Sequence, residues 1–231
     1  MDDRGIEIIG PIAGITFVVL DVLAGFLYPQ APPSDSPPAV LLSWVHGHRV
    51  AIQAGMILGL FASAIFLWFA GHLKNCLTDS VAGLRSLAPM VFGAGVAFAL
   101  ANAIGTVPNA LLAFMDSQRQ GLSDPTVLRL LADLNTVLFS LDTVISVIFM
   151  LALGLALLRG DLHAPRWLGW LCLLVAVVNV VATWLAVTFS TYHGKGWNAL
   201  GFGSFISFLV IVLILSIALL RRPEPRVTPA P

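Results

Sequence analysis

Six stretches of this chain, residues 8–28, 50–71, 87–115, 125–158, 167–189 and 200–220, are apolar over the length a helix needs to cross a bilayer. At 1.5 Å per residue, about 20 apolar residues span the roughly 30 Å of hydrocarbon. Runs like these leave few choices of structure. In lipid, each backbone N–H and C=O must find its partner within its own segment, so each run is predicted to be an α-helix. The chain is 58% hydrophobic and only 10% charged, whereas a soluble domain carries roughly 25% charged residues to wet its surface. The expected fold is all-α: a polytopic transmembrane bundle of about six helices. Residues 1–220 form a single transmembrane domain, and 221–231 a Pro-rich tail expected to be disordered.

The breaks between runs are also legible. The prolines between Pro29 and Pro38 exclude a helix interior there, and Pro108 predicts a kink near the end of the third run. Ser123 or Asp124 can cap the fourth helix, with Pro125 at its first position. That run is too long for one crossing, so its first two turns are expected to stand out of the membrane. The chain starts Met1-Asp2-Asp3-Arg4, without the basic start or cleavage site of a secretory signal, so the first run reads as a retained helix.

Basic residues orient the bundle. One side holds Arg4, Lys74, Arg85, Arg159, Arg166, Arg221, Arg222 and Arg226, and the other Arg49, Arg119, Arg129 and Lys195. The richer side is expected to be cytoplasmic, which places both termini there. Gly10-x-x-x-Gly14 and Gly55-x-x-x-Gly59 allow close backbone approach and are expected to serve packing within the bundle.

Polar groups inside hydrocarbon are costly and mark candidate sites. Asp142 lies near the middle of the fourth helix, with Asn135 and Ser146 on its face and Thr136, Ser140 and Thr143 beside it. Asp21 lies in the outer half of the first helix. His46, Arg49 and Gln53 share a face of the second, Asn102, Thr106 and Asn109 a face of the third, and Asn179 and Thr183 a face of the fifth. Asp142, Asp21, Arg49, Gln53, Asn109, Asn135, Asn102 and Asn179 are the candidate ligand-binding residues. Most map to the outer halves of their helices, which predicts a polar pocket open outward and closed inward by apolar packing. Arg49 is placed to reach inward and pair with Asp21 or Asp142. The alternative for the amides and hydroxyls is hydrogen bonding that ties helices together.

Other chemistries find little support. The net charge is zero, from 12 basic and 12 acidic residues, so nothing in it favours a nucleic-acid partner. His46 and His48 point apart on a helix, and all five histidines fall at the ends of the runs, so neither a metal site nor haem is expected. No lysine lies within a run to anchor a retinal, and no phosphate-binding or dinucleotide fingerprint occurs. No cofactor is expected. Cys76 and Cys172 have neither metal spacing nor a disulfide framework. The six tryptophans fall near predicted interfaces and read as aromatic belts.

The connection between the fourth and fifth helices, His163-Ala-Pro-Arg-Trp-Leu-Gly-Trp170, resembles the Pro-Arg-Trp-Leu-Gly-Trp connection of a broad family of small six-helix integral membrane proteins of actinobacteria, a domain of unknown function. Members share a long Asp-rich connection before the fourth helix and a Pro/Asp-containing first outer loop, as in residues 31–38. The resemblance implies a multi-pass protein of a bacterial cytoplasmic (plasma) membrane, and it carries no catalytic residues. Pro165 ends a helix, Arg166 holds the cytoplasmic side, and Trp167 and Trp170 sit at headgroup level.

Three function classes follow. The preferred one is binding or transport of a small amphiphilic or lipophilic molecule in the polar pocket, with the lipid bilayer as the constant partner. The second is a membrane-embedded enzyme acting on a lipidic substrate, with Asp142 or Asp21 as acid or base. It needs two titratable groups about 3 to 7 Å apart in one water-reachable cavity. The third is a non-catalytic partner subunit or sensor, expected to have a filled core and an exposed groove at Gly55 and Gly59. The sequence leaves the oligomeric state open.

Overall fold

A computed structural model describes residues 3–29, 31–32, 36–79, 85–117, 124–160, 164–188 and 195–221. Among these, every element is an α-helix: α1 (Asp3–Leu27), α2 (Pro38–Asp79), α3 (Leu87–Gly105), α4 (Val107–Ser117), α5 (Pro125–Arg159), α6 (Arg166–Thr188) and α7 (Lys195–Leu220). Six spans are long and apolar enough to cross a membrane, with α3 and α4 together making one of them. The protein is thus a polytopic membrane bundle. His163, His193 and the tail from 222 onward lie outside the described residues, as do the side chains of Thr136 and Ser140.

Three boundaries depart from expectation. Helix α2 starts at Pro38 rather than near residue 50, and it runs 42 residues. Proline suits the first helical position, where the missing N–H has no partner to lose. The turns that follow bury Leu41 and Val45, so packing extends the helix beyond its apolar run. His46 is therefore inside a helix and not at its end. The third run is broken outright, at Thr106. Pro108 lacks an N–H and its ring crowds the carbonyl of Ile104. The chain turns there and resumes as α4, with the Ala110 N–H donating to the Thr106 carbonyl at 3.2 Å. Helix α7 starts at Lys195 rather than near 200. The start of α5 is as expected: Asp124 caps it and accepts the Thr126 N–H at 2.8 Å.

Helix α1 packs on α2 and α7, α5 packs on α6 and α3, and α2 packs on α3 and α4. Glycines set the closest approaches. A side chain at Gly10 would collide with the His72 ring, and one at Gly14 with Ser216 and Phe69. Gly55 lies against Tyr28 and Ala24, and Gly59 faces Thr106. Both glycine pairs are therefore spent inside the bundle. A third approach, between Gly154 and Gly169, joins α5 to α6. The outside of the bundle carries large apolar side chains such as Phe61, Leu100, Ile148 and Val177, each half-exposed or more, as a lipid-facing surface requires.

The core holds a cluster of six phenylalanines drawn from five helices. Phe66 of α2 lies 4.7 Å from Phe17 of α1, 5.2 Å from Phe98 of α3, 5.7 Å from Phe149 of α5, 5.9 Å from Phe208 of α7 and 5.8 Å from its neighbour Phe69, measured between ring centres. Phe98 and Phe208 stack at 4.5 Å. Each is almost fully buried. These are the tilted and offset arrangements that aromatic rings favour.

Candidate functional site

The buried polar residues stand in register on this aromatic cluster. Asp21 follows Phe17 by one turn on α1, Ser63 precedes Phe66 on α2, Asn102 follows Phe98 on α3, Ser146 precedes Phe149 on α5, and Ser204 precedes Phe208 on α7. Given the alternating direction of the helices, every one of these steps points toward the end of the bundle where Tyr28 lies. Side chains three or four residues apart share a helix face. The result is a polar layer resting on an aromatic floor.

Hydrogen bonds tie much of the layer together. Asn102 donates through Nδ2 to Ser63 Oγ at 3.1 Å, and Ser63 Oγ donates to the Gly59 carbonyl at 2.9 Å. Asn179 donates to Ser146 Oγ at 2.8 Å and accepts from Ser204 Oγ, which joins α5, α6 and α7. Ser146 Oγ donates to the Thr143 carbonyl at 2.7 Å. Asn135 donates to the Gly105 carbonyl at 2.9 Å, at the break between α3 and α4. In these positions the amides and hydroxyls do act as ties between helices.

The two aspartates differ from the rest. Asp21 is 6% exposed and Asp142 is 9% exposed. Asp21 Oδ2 and Asp142 Oδ1 are buried and make no hydrogen bond. Asp21 on α1 and Asp142 on α5 both lie on the Tyr28 side of Phe17 and Phe149, two rings that pack against Phe66. Thr183 Oγ1 is a third buried oxygen without a hydrogen bond. It lies one turn beyond Asn179 just as Asp142 lies one turn before Ser146, so the Asn179–Ser146 bond puts Thr183 and Asp142 at the same level of neighbouring antiparallel helices.

Arg49 does not pair with either aspartate. It stands four turns of α2 from Ser63, about 21 Å along the axis, beyond the reach of its side chain. Its partner is Asp116 at the end of α4, with Nη1 3.9 Å from Oδ2. His46 Nδ1 reaches the same carboxylate, at 3.3 Å from Oδ1. Asn109 of α4 donates to the Tyr28 hydroxyl. Helix α4 is thus held at both ends, to α1 by Asn109 and to α2 by Asp116.

Beneath α4, a second apolar group formed by Val45, Leu112, Leu128 and Leu131, with Trp44 and Met115 against it, closes the Tyr28 end. Beside it is a cavity of about 60 Å³, lined by Asn109, Asn135 and Trp44 among apolar neighbours. Of the eight candidate residues, Asn109 and Asn135 share this cavity. Asp21, Asp142, Asn102 and Asn179 sit in the layer below, and Arg49 and half-buried Gln53 lie nearer the surface. Larger grooves open on the surface, about 520 Å³ beside His46 and Arg49 and about 290 Å³ beside Trp68, His72 and Lys74, and neither is lined by Asp21 or Asp142. The polar layer in this conformation is occluded, with aromatic rings on one side and α4 with its apolar group on the other.

Sequence reasoning missed the aromatic floor and Asp116. A phenylalanine one turn from each of Asp21, Ser63, Asn102, Ser146 and Ser204 was the available signal for the first. Among the described residues, no group of three or more His, Cys, Asp or Glu side chains could hold a metal ion. Compared with family models, with curated proteins and with solved structures, the chain matches none of them.

Proposed function

We propose that this protein binds a small amphiphilic molecule at the buried polar layer and carries it across, or releases it from, the membrane, with α4 as the lid. The observation that carries this reading is the pair of hydrogen-bond-free carboxyl oxygens on Asp21 and Asp142, buried between an aromatic floor and a helix that is broken from its predecessor. Discontinuous helices beside a buried polar site are a recurring device of membrane transporters. Intramembrane acids that face protein rather than lipid mark substrate or ion pathways more often than they mark packing. In this reading, breaking the Asp116 and Asn109 contacts frees α4 to swing about Thr106 and opens the layer toward the Tyr28 end.

The geometry supports the other classes less well. A lipid-acting enzyme would use the same two carboxyls, but they line neither surface groove. A partner subunit was expected to expose Gly55 and Gly59, and both are covered from within the chain. On the likeness of residues 163–170, we propose a bacterial cytoplasmic membrane as the setting, and on the bias of Lys and Arg between the two sides we propose that the chain's two ends lie on the cytoplasmic face.

Purification from native membranes, followed by mass spectrometry of what stays bound, tests the binding role. One species at near-stoichiometric yield, absent from the Asp142→Leu variant, is the expected result. Bulk lipid alone, in equal proportion in both proteins, would overturn it.

A further inference from the structure

We infer that the molecule held in the polar layer presents a primary ammonium group, and that Asp21 and Asp142 receive it. This inference rests on the binding role proposed above and specifies the chemistry of the ligand. Most oxygens of the layer are already engaged: those of Ser63, Ser146 and Asn179 each take part in a bond between helices or to a carbonyl. The buried oxygens left over are Asp21 Oδ2, Asp142 Oδ1 and Thr183 Oγ1. All three can accept a hydrogen bond, and no described residue supplies a donor to them. An R–NH3+ group has three N–H donors and one positive charge. It brings both the donors and the positive charge that these carboxyl oxygens lack.

The surroundings point the same way. Among the described residues, neither aspartate has a Lys, Arg or His partner: the ion pairs near this end of the bundle go to Asp116. The basic side chain expected to neutralise them, Arg49, is committed to Asp116. A calcium ion would want six to eight oxygens, and magnesium sheds its water reluctantly, so a divalent ion finds too few ligands here. Phe17 sits one turn below Asp21 in the aromatic cluster, and aromatic rings attract a cation and cover the apolar part of the molecule that bears it.

Thermal unfolding of the full chain in detergent tests the assignment, with butylammonium chloride, sodium chloride, calcium chloride and neutral butanol compared at matched ionic strength. Butylammonium is expected to raise Tm by about 3 °C or more at saturation, with no matching shift from the other three. Asp21→Asn and Asp142→Asn, which keep side-chain shape, are each expected to lose the shift while eluting as folded protein. Should either fail to fold, the comparison among the four solutes on the native chain decides the matter. An equal shift with butanol would overturn the ammonium assignment and leave a binding pocket standing. A shift with sodium or calcium alone would overturn it in favour of an inorganic ion. No shift with any solute would also overturn it, whereas the binding role is judged separately, by what mass spectrometry finds bound.

Discussion

The two halves of this bundle solve the same problem by opposite means. Toward His72, the core is six phenylalanine rings and aliphatic side chains, packed helix to helix with glycines where backbones cross. Toward Tyr28, the core is a layer of amides, hydroxyls and two carboxyls, covered by a short helix that is pinned by polar contacts. In water, an apolar core gains from the hydrophobic effect. In lipid it gains little beyond close packing, because the tails outside are equally apolar. The aromatic half therefore depends on shape. The polar half depends on satisfying its groups, and among the described residues it leaves buried oxygens of Asp21, Asp116, Asp142 and Thr183 without a hydrogen bond. A half that is filled and matched is suited to staying put, and a half with unmet acceptors under a pinned lid is suited to opening.

The sharpest way to break this contrast is to empty the floor. Phe66→Ala removes the ring that touches five others and is expected to lower stability by about 3–5 kcal/mol, the range for large aromatic truncations in a core, read as a fall in Tm in detergent. An effect below about 1 kcal/mol would mean that the rings are not a unit. Overfilling the same half is next. Gly14→Leu would drive a side chain into Ser216 and Phe69 and is expected to cost about 1–3 kcal/mol, again by thermal unfolding.

In the polar half, smaller effects are expected. Asn179→Leu cuts the ties from Asn179 to Ser146 and Ser204, and it should cost about 1 kcal/mol, near the measured scale for hydrogen bonds between membrane helices. A loss as large as that of Phe66→Ala would erase the distinction between the halves. Asp116→Asn removes the ion pair of α4 with Arg49 and alters its hydrogen bond with His46. Because His46 is 78% and Arg49 41% exposed, stability should change by less than about 1 kcal/mol. The lid should nonetheless loosen, so a cysteine placed at Asn109 should react faster with a water-soluble thiol reagent.

The smallest effect concerns the first turn of α5. The backbone N–H of Thr126 holds the exposed Asp124 below the ordinary carboxylate range. Its capping contribution is therefore present at neutral pH and is lost as pH falls through that lowered value. Hydrogen exchange at Thr126 should speed up in acid and in Asp124→Ala, with global stability unmoved.

How much of this was legible depended on what hydrocarbon penalises. The six spans and Asp21, Asn102, Asp142 and Asn179 stood out because polar atoms in lipid are costly wherever they occur. The α5 start was equally clear, since Asp124-Pro125 carries its own local geometry. The common layer that holds Asp21 and Asp142 was hidden, because residue spacing fixes a face of a helix but not which helices are opposed. The phenylalanines looked like any lipid-facing residues until five helices brought them together. Arg49 was misassigned because α2 was read as starting near residue 50. The real helix starts at Pro38 and holds Arg49 rigidly far from the acids. Asp116 drew no notice at the end of an apolar run.

That long helix has a mechanical consequence. At about 1.5 Å per residue, the 42 residues of α2 form a rod of about 63 Å, twice the hydrocarbon thickness. It touches α4 through Arg49 near one end, carries Phe66 in the floor, and reaches His72 and Lys74 toward the other. A rod pivoting at Phe66 is a lever with unequal arms, about 42 Å toward Pro38 and about 20 Å toward Asp79: a tilt of 5° moves the two tips by about 4 Å and about 2 Å in opposite directions. Release of Asp116 on one face of the membrane is therefore felt on the other, with the ring of Phe66 as fulcrum.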